Sequence, residues 1–302
     1  MNRVRLLVFN AVLGVLDYRV PNGMAIEFGS VVAAPLGPRQ IVGIVWEAER
    51  LPGTEVAESK LRPILEVLPV PPLSAALRRL IEWTADYYCA PLQSVARMAL
   101  SSSAALKGGG TTTEYRLSGA EPARLTPQRA AAIDALHGEQ ASIRELAALA
   151  SVSDGVLRGM VSAGLLEPVT VDLDRPYPRA RPDFAVPELS EDQQAAADIF
   201  VGAVQAAKFA PFLLDGVTGS GKTECYFEAI AAAIAAGKQT LVLLPEIALT
   251  ENFLRRFEHR FGVPPVLWHS SLKASERRRA WRAIASGEAP VVVGARSALF
   301  LP

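Results

Sequence analysis

The residues with the clearest chemical potential are Gly216, Val217, Thr218, Gly219, Ser220, Gly221, Lys222 and Thr223, which follow one another without interruption. Their order satisfies G-x-x-x-x-G-K-[ST], a loop whose glycines let successive backbone N–H groups converge on phosphate oxygens. In such a loop the lysine, here Lys222, reaches the β and γ phosphates, and the hydroxyl that follows, here Thr223, coordinates magnesium. The chemistry implied is the holding of a nucleoside triphosphate with Mg2+. Strand and helix must position the loop: Phe212, Leu213 and Leu214 read as a short buried strand ending in Asp215, and Glu224 to Ala236 as a helix closed by Gly237.

Other candidate groups are less specific. The run from Leu241 to Glu246 ends an apolar stretch in a carboxylate, as a magnesium-holding strand must. It follows the loop too closely, however, and Pro245 turns the chain away, so a substrate-contacting turn is expected there, leading into a helix capped by Thr250. Arg255, Arg256 and Arg260 fall on one helix, and Lys273, Arg277, Arg278, Arg279 and Arg282 surround the next, whose expected N-cap is Ser275. This basic cluster suits either phosphate-backbone contact or a solvated helix face interleaved with Glu251, Glu258 and Glu276. Cys89 and Cys225 lack partners at ligand spacing, which predicts free thiols in a reducing cytoplasm, no disulfide and no zinc site. Trp46, Trp83, Trp268 and Trp281 are assigned to the core.

The elements that must carry these groups fall into segments. With 302 residues, half of them hydrophobic, the chain has length enough for two or three cores, and 31 basic against 31 acidic residues give no global charge argument for any partner. Arg3 and Arg5 ahead of the apolar run from Leu6 to Leu16 imitate a secretory leader, but Asn10 interrupts it and Asp17 ends it, so a first strand is expected. No apolar stretch reaches the roughly 18 residues of a membrane span, and the expected location is cytoplasmic, without a membrane partner.

Residues 1–105 read as a small, mostly β domain, with strands at Ser30 to Ala34 and Gln40 to Trp46 and a helix from Ala75 to Tyr88 that presents Leu77, Leu80, Ile81, Thr84 and Tyr88 on one face. The Ser/Gly/Thr-rich stretch from Ser101 to Thr113 has linker composition. Residues 111–175 contain three short helical patterns, the second opened by a Ser142/Glu145 capping box, and suggest a winged helix. From 176 to 302, after a proline-rich stretch, helices alternate with strands at Thr240 to Leu244, Val266 to Trp268 and Val291 to Val293, the pattern of a doubly wound parallel α/β sheet.

Several segments together resemble one family: LDYRVP at Leu16 to Pro21, PLGPRQIVGIV at Pro35 to Val45, ADYYCAPL at Ala85 to Leu92, GVTGSGKTE from Gly216, PEIALT from Pro245, HSSL from His269 and GARSALF from Gly294. The chain resembles the bacterial replication-restart helicases, the family of primosomal protein N′ (PriA), over its full length. The resemblance implies a multidomain architecture: a β-rich DNA-binding domain, a winged-helix domain and a P-loop, RecA-like helicase lobe. It implies an ATP-dependent helicase moving 3′ to 5′ with Mg2+, acting on branched or forked DNA with a 3′ end and on single strands, with primosome proteins and single-stranded DNA-binding protein as partners. Residue by residue, it places Asp17, Tyr18, Gly37 and Arg39 at the DNA 3′ end, Gln193 at adenine, Glu224 beside the phosphate loop at ATP, and Arg296 at DNA or the nucleotide-coupling elements. Leu16 and Leu36 stand where the family carries aromatics.

The resemblance also implies that the family continues past Pro302 into a D-E-E-H strand, which supplies the magnesium aspartate and catalytic glutamate, and into a second lobe with zinc-binding cysteines. None of those residues stands in this sequence, so residues 1–302 by themselves are expected to bind DNA and nucleotide without turnover. A different class of reading is a non-catalytic DNA-binding or primosome-interaction protein in which the lobe is a docking surface.

Overall fold

The computed structural model describes residues 2–9, 15–47, 56–100, 103–122, 124–136, 140–245 and 251–302. These form two compact units, one of residues 1–108 with 176–302 and one of residues 109–175. The first begins with β1 (Arg3–Val8), β2 (Val15–Arg19), β3 (Val31–Leu36), β4 (Arg39–Trp46) and β5 (Glu66–Val67), in sheet order β2-β1-β4-β3-β5. Every pairing in this sheet is antiparallel. The period of two sorts the side chains: Val4, Leu6 and Val8 share a core with Tyr18, Val32 and Val45, whereas Leu7 turns the other way onto Ile44 and Trp46. The strap before β5 returns to the opposite edge, where Arg19 N donates to Arg62 O at 2.9 Å and Ile64 N to Arg19 O at 3.0 Å, so the sheet closes on itself as a small barrel.

Helix α1 (Ala75–Tyr87) covers the face that carries Trp46. Ser74 Oγ caps it by accepting from Leu77 N, and Leu77, Ile81, Thr84 and Ala85 are the residues it buries. Two expectations fail here. Tyr88 points outward, and Trp83 is 58% exposed rather than in the core, because it lies across the helix from the buried stripe. Short helices α2 (Leu92–Ala96) and α3 (Ser103–Lys107) follow.

The second unit contains β6 (Thr111–Leu117), α4 (Pro127–Leu136), α5 (Ile143–Ala150), α6 (Asp154–Ser162) and β7 (Leu166–Asp172). Thr111 to Thr113, expected in a linker, start β6, since β-branched threonines suit a ladder and β7 supplies the partner from Asp172 back to Leu166. The Ser142/Glu145 capping box is present, and Leu136, Leu146, Leu157, Met160 and Leu166 fill the core between helices and hairpin.

The first unit resumes with α7 (Glu191–Ala206), α8 (Lys222–Ala235), β8 (Thr240–Leu243), α9 (Glu251–Phe261), β9 (Val266–Trp268), α10 (Ala274–Ala285) and β10 (Val291–Gly294). The strands form a parallel sheet in the order β8-β10-β9. Its two faces are covered differently. On one, Phe227 and Ile230 of α8 meet Phe253, Phe257 and Phe261 of α9 over Val291 and Val293. On the other, Ala280, Trp281 and Ile284 of α10 pack on Val292, and that core runs on into Val31, Ala33 and Leu68 of the barrel. Helix α10 is capped by Lys273, so Ser275 falls within its first turn; Thr250 and Glu246 lie outside the described residues.

The strand expected at Phe212 to Leu214 is extended but joins no sheet, with Leu213 93% exposed. A cavity of ≈ 860 Å³, lined by Phe200 and Phe212 on one side and by Thr240 to Leu244 on the other, separates it from β8, and a strand exists only where a neighbour takes its N–H and C=O groups. Among the described residues no helix is long and apolar enough to cross a membrane.

Candidate functional site

The loop ahead of α8 is built for anions. Gly219 and Gly221 hold φ of +84° and +82°, which turn the chain so that α8 starts at Lys222, two residues earlier than the sequence pattern suggested. Gly221 occupies the N-cap and offers no side chain, so the first amides of α8 are left for a ligand, at the positive end of the helix dipole. Ser220 N donates to Val217 O at 3.2 Å and Asp215 Oδ1 accepts from Gly216 N at 2.8 Å, fixing the loop's two arms. Lys222 Nζ donates to the carbonyls of Gly216 and Val217, a resting position inside the loop from which an ammonium can turn to phosphate oxygens. Thr223 Oγ1 accepts from Tyr226 Oη at 3.1 Å, which orients the hydroxyl and leaves a lone pair for a hard cation such as Mg2+.

Two neighbours frame this loop. Gln193, in the first turn of α7, accepts from Ser190 N at 3.0 Å through Oε1 and donates to Ser220 O at 2.9 Å through Nε2. It therefore braces the loop, and so closely that a Cβ on Gly221 would sit 2.2 Å from its Nε2. Glu224 carries an ion pair to Arg256 of α9. One residue on, burial raises the thiol pKa of Cys225 and the neighbouring Glu224 charge adds to it, as befits a buried free cysteine.

The residues expected at a DNA end fall into two groups in the barrel, because Asp17 and Tyr18 alternate to opposite faces of β2. Asp17 on β2 faces Arg5 across the register with β1, and its carboxylate is 5% exposed and held by both Arg3 and Arg5, the latter at 3.0 Å. Burial pushes that carboxyl upward, but the hydrogen bonds and charges of Arg5 and Arg3 outweigh it and hold the group below its ordinary 3.8. Tyr18 turns inward and donates to Pro35 O at 2.9 Å; burial lifts its phenol above the ordinary value, against the charge of Arg62. Gly37 shapes the tip of the β3–β4 hairpin at φ +57°, with Arg39 exposed beside it. Sequence reasoning missed Arg62, whose Nη1 reaches Gly37 O at 3.1 Å and so joins the strap to the hairpin tip. No motif marks it; only closure of the barrel brings it there.

Most of the basic cluster is spent on loop carbonyls and glutamates rather than lying on a solvated face. Arg277 donates to His269 O and Ser270 O, Arg279 to Pro176 O while lying 3.9 Å over the Tyr177 ring, and Arg282 to Ala105 O. Arg260, 4% exposed, holds Glu228 and Pro182 O, and Arg278 is buried as well. These guanidiniums staple α9 and α10 to carbonyls of loops that have no ladder of their own. Arg255, Arg39 and Arg296 make no hydrogen bond or ion pair among the described residues. Arg296 follows Gly294, where a Cβ would meet Trp268 O at 2.7 Å, so the strand must end on glycine to bring Arg296 to the carboxyl end of the parallel sheet. The exposed Trp83 stacks on Tyr87 at 5.0 Å. Among the described residues no three His, Cys, Asp or Glu side chains converge as a metal site.

Comparison with known proteins finds two family matches, both within the first compact unit. Residues 5–101 match the family described as the 3′DNA-binding domain (3′BD) of PriA, and residues 190–301 match the DEAD/DEAH box helicase family. Replication restart protein PriA of Rickettsia felis is 30% identical over 303 residues, covering 100% of this chain and 36% of that protein. The proteins of the same name from Chlamydia pneumoniae and Haemophilus influenzae are each 31% identical, over 95% and 94% of this chain. The chain spans 36% to 40% of the length of these relatives.

Proposed function

We propose, from the premise that this chain matches the N-terminal portion of replication restart protein PriA over its whole length, that it joins a DNA 3′-end receptor to the first lobe of an ATP-driven 3′ to 5′ helicase. The observation that carries this reading is the loop Gly216 to Thr223, whose uncapped helix terminus, internal Lys222 and Gln193 brace form a triphosphate cradle. When bound, ATP supplies the free energy of phosphoryl transfer for strand movement. The protein's own part is to hold it: the α8 amides and Lys222 take the phosphates, Thr223 ligates Mg2+, and Arg296 at the sheet's carboxyl end faces DNA. In the barrel, Gly37 and Arg39 receive the terminal nucleotide of forked DNA, with Asp17 fixing Arg3 and Arg5, Tyr18 bracing the β3–β4 hairpin from inside through Pro35 O, and Arg62 adding a phosphate contact. The hairpin and helices of residues 109–175 are a winged helix in this reading, and primosome proteins and single-stranded DNA-binding protein are partners of the whole assembly.

Among the described residues, Asp215 at the start of the loop accepts from Gly216 N and Glu224 just after it pairs with Arg256. In this reading residues 1–302 bind nucleotide and forked DNA without appreciable turnover, neither carboxylate being free to activate water. A phosphate-release assay with forked DNA tests this: the rate is expected to equal that of Lys222→Ala, and faster release by the unmodified chain overturns it. Binding of forked DNA with a 3′-hydroxyl preference but no nucleotide binding favours the docking-protein reading instead.

A further inference from the structure

Thr223 carries the hydroxyl that the phosphate loop assigns to Mg2+, and a threonine in a helix divides its side chain between two rotamers. One of them wastes the oxygen. Folded back, the hydroxyl bonds the carbonyl three or four residues earlier, here Ser220 or Gly219, and is spent inside its own helix. The structure takes the other course. Thr223 Oγ1 accepts from Tyr226 Oη at 3.1 Å, three residues on along α8, and makes no other hydrogen bond among the described residues. Ser220 O accepts instead from Gln193 Nε2 at 2.9 Å. We propose that Tyr226 is a positioning residue for the metal of the bound triphosphate: its phenol, with Gln193 occupying the competing carbonyl, keeps Thr223 Oγ1 uncommitted and available as a ligand. The proposal rests on the phosphate-loop reading above.

The bond serves orientation rather than activation. An oxygen that accepts a proton donor becomes no more basic, so the phenol does not strengthen Thr223 as an electron donor to a cation. What it contributes is direction. Of the two lone pairs on the hydroxyl oxygen, one takes the phenol proton and the second is left for a hard cation, while the threonine O–H stays free to donate to a phosphate or water oxygen. The brace is also anchored outside the loop that it serves. Tyr226 is half-buried, stands edge-on to Phe227 with ring centroids 5.7 Å apart, and its ring forms part of the wall of the ≈ 860 Å³ cavity beside Ile230. Phe227 is itself buried against Phe253, Phe257 and Phe261 of α9. Packing therefore fixes the ring, the ring fixes the phenol, and the phenol fixes the ligand before a nucleotide arrives, as outer-shell partners do at metal sites.

Calorimetric titration of ATP into the 302-residue chain, once with Mg2+ and once with EDTA, gives the factor by which the metal tightens binding. Tyr226→Phe keeps the ring and removes only the phenol oxygen. It is expected to lower the metal factor about tenfold while leaving the affinity in EDTA and the melting temperature unchanged. Thr223→Val removes the ligand itself and sets the floor. The double variant is expected to lose no more than Thr223→Val alone, because the phenol then has nothing to orient. An unchanged metal factor in Tyr226→Phe overturns the proposal, and so does equal weakening with and without Mg2+, or losses that add in the double variant. Failure of the phosphate-loop reading looks different: Lys222→Ala then binds ATP as tightly as the unmodified chain in both buffers, and Thr223→Val keeps the full metal factor.

Discussion

Asp17 illustrates how a residue's type and its employment part company. Resemblance places it at the DNA end, yet the structure spends its carboxylate on Arg3 and Arg5. Because its folded pKa lies below the ordinary 3.8, the ion cluster contributes in full above that value and drains as pH falls through the depressed one. Asp17→Asn is expected to cost about 1–3 kcal/mol at neutral pH and to flatten the acid limb of the stability curve, as urea titrations from pH 6 downward would report. An unchanged acid limb would sink the assignment. Gly221 is the opposite case, legible in the motif but for a reason visible only in space. Gly221→Ala forces a Cβ onto Gln193 Nε2 in a left-handed backbone, so nucleotide affinity should fall even though no ligand-facing group is lost. The staples Arg277, Arg279 and Arg282 were beyond sequence reading, since their acceptors are loop carbonyls that no pattern announces.

At the scale of elements, helices were more legible than strands because their end signals are local. Ser142 with Glu145 and Ser190 with Gln193 each form a reciprocal capping box within four consecutive residues. Ser190→Ala is expected to destabilise α7 by about 1 kcal/mol and, by freeing Gln193, to loosen the loop at Ser220. Hydrogen exchange at the amides of residues 217–221 should then quicken more than in Ser142→Ala, whose cap touches no site; equal rates in the two variants would argue that Gln193 braces nothing. Strands depend on partners distant in sequence. Thr111 to Thr113 became strand because β7 lies opposite, and Phe212 to Leu214, with a more apolar sequence, did not because no strand lies opposite it among the described residues.

For the molecule as a whole, composition suggested separate β and α/β domains, but one core crosses between them. Trp281 of α10 packs with Val31 and Ala33 of the barrel and donates Nε1–H to Ala99 O at 2.9 Å. The barrel and the nucleotide lobe should therefore melt in one transition, and Trp281→Ala should lower both together by about 3–5 kcal/mol, as tryptophan fluorescence and circular dichroism would record in the same scan. Separate transitions would refute the shared core. The cavity beside β8 has a different kind of consequence. One flank of that strand carries unshared N–H and C=O groups, with Leu241 and Leu243 partly exposed along it. Such a border is a template on which a stranger's polypeptide can crystallise into sheet, so the shelf life of concentrated solutions is set at β8: Leu241→Lys should delay turbidity there while leaving the melting temperature nearly unmoved.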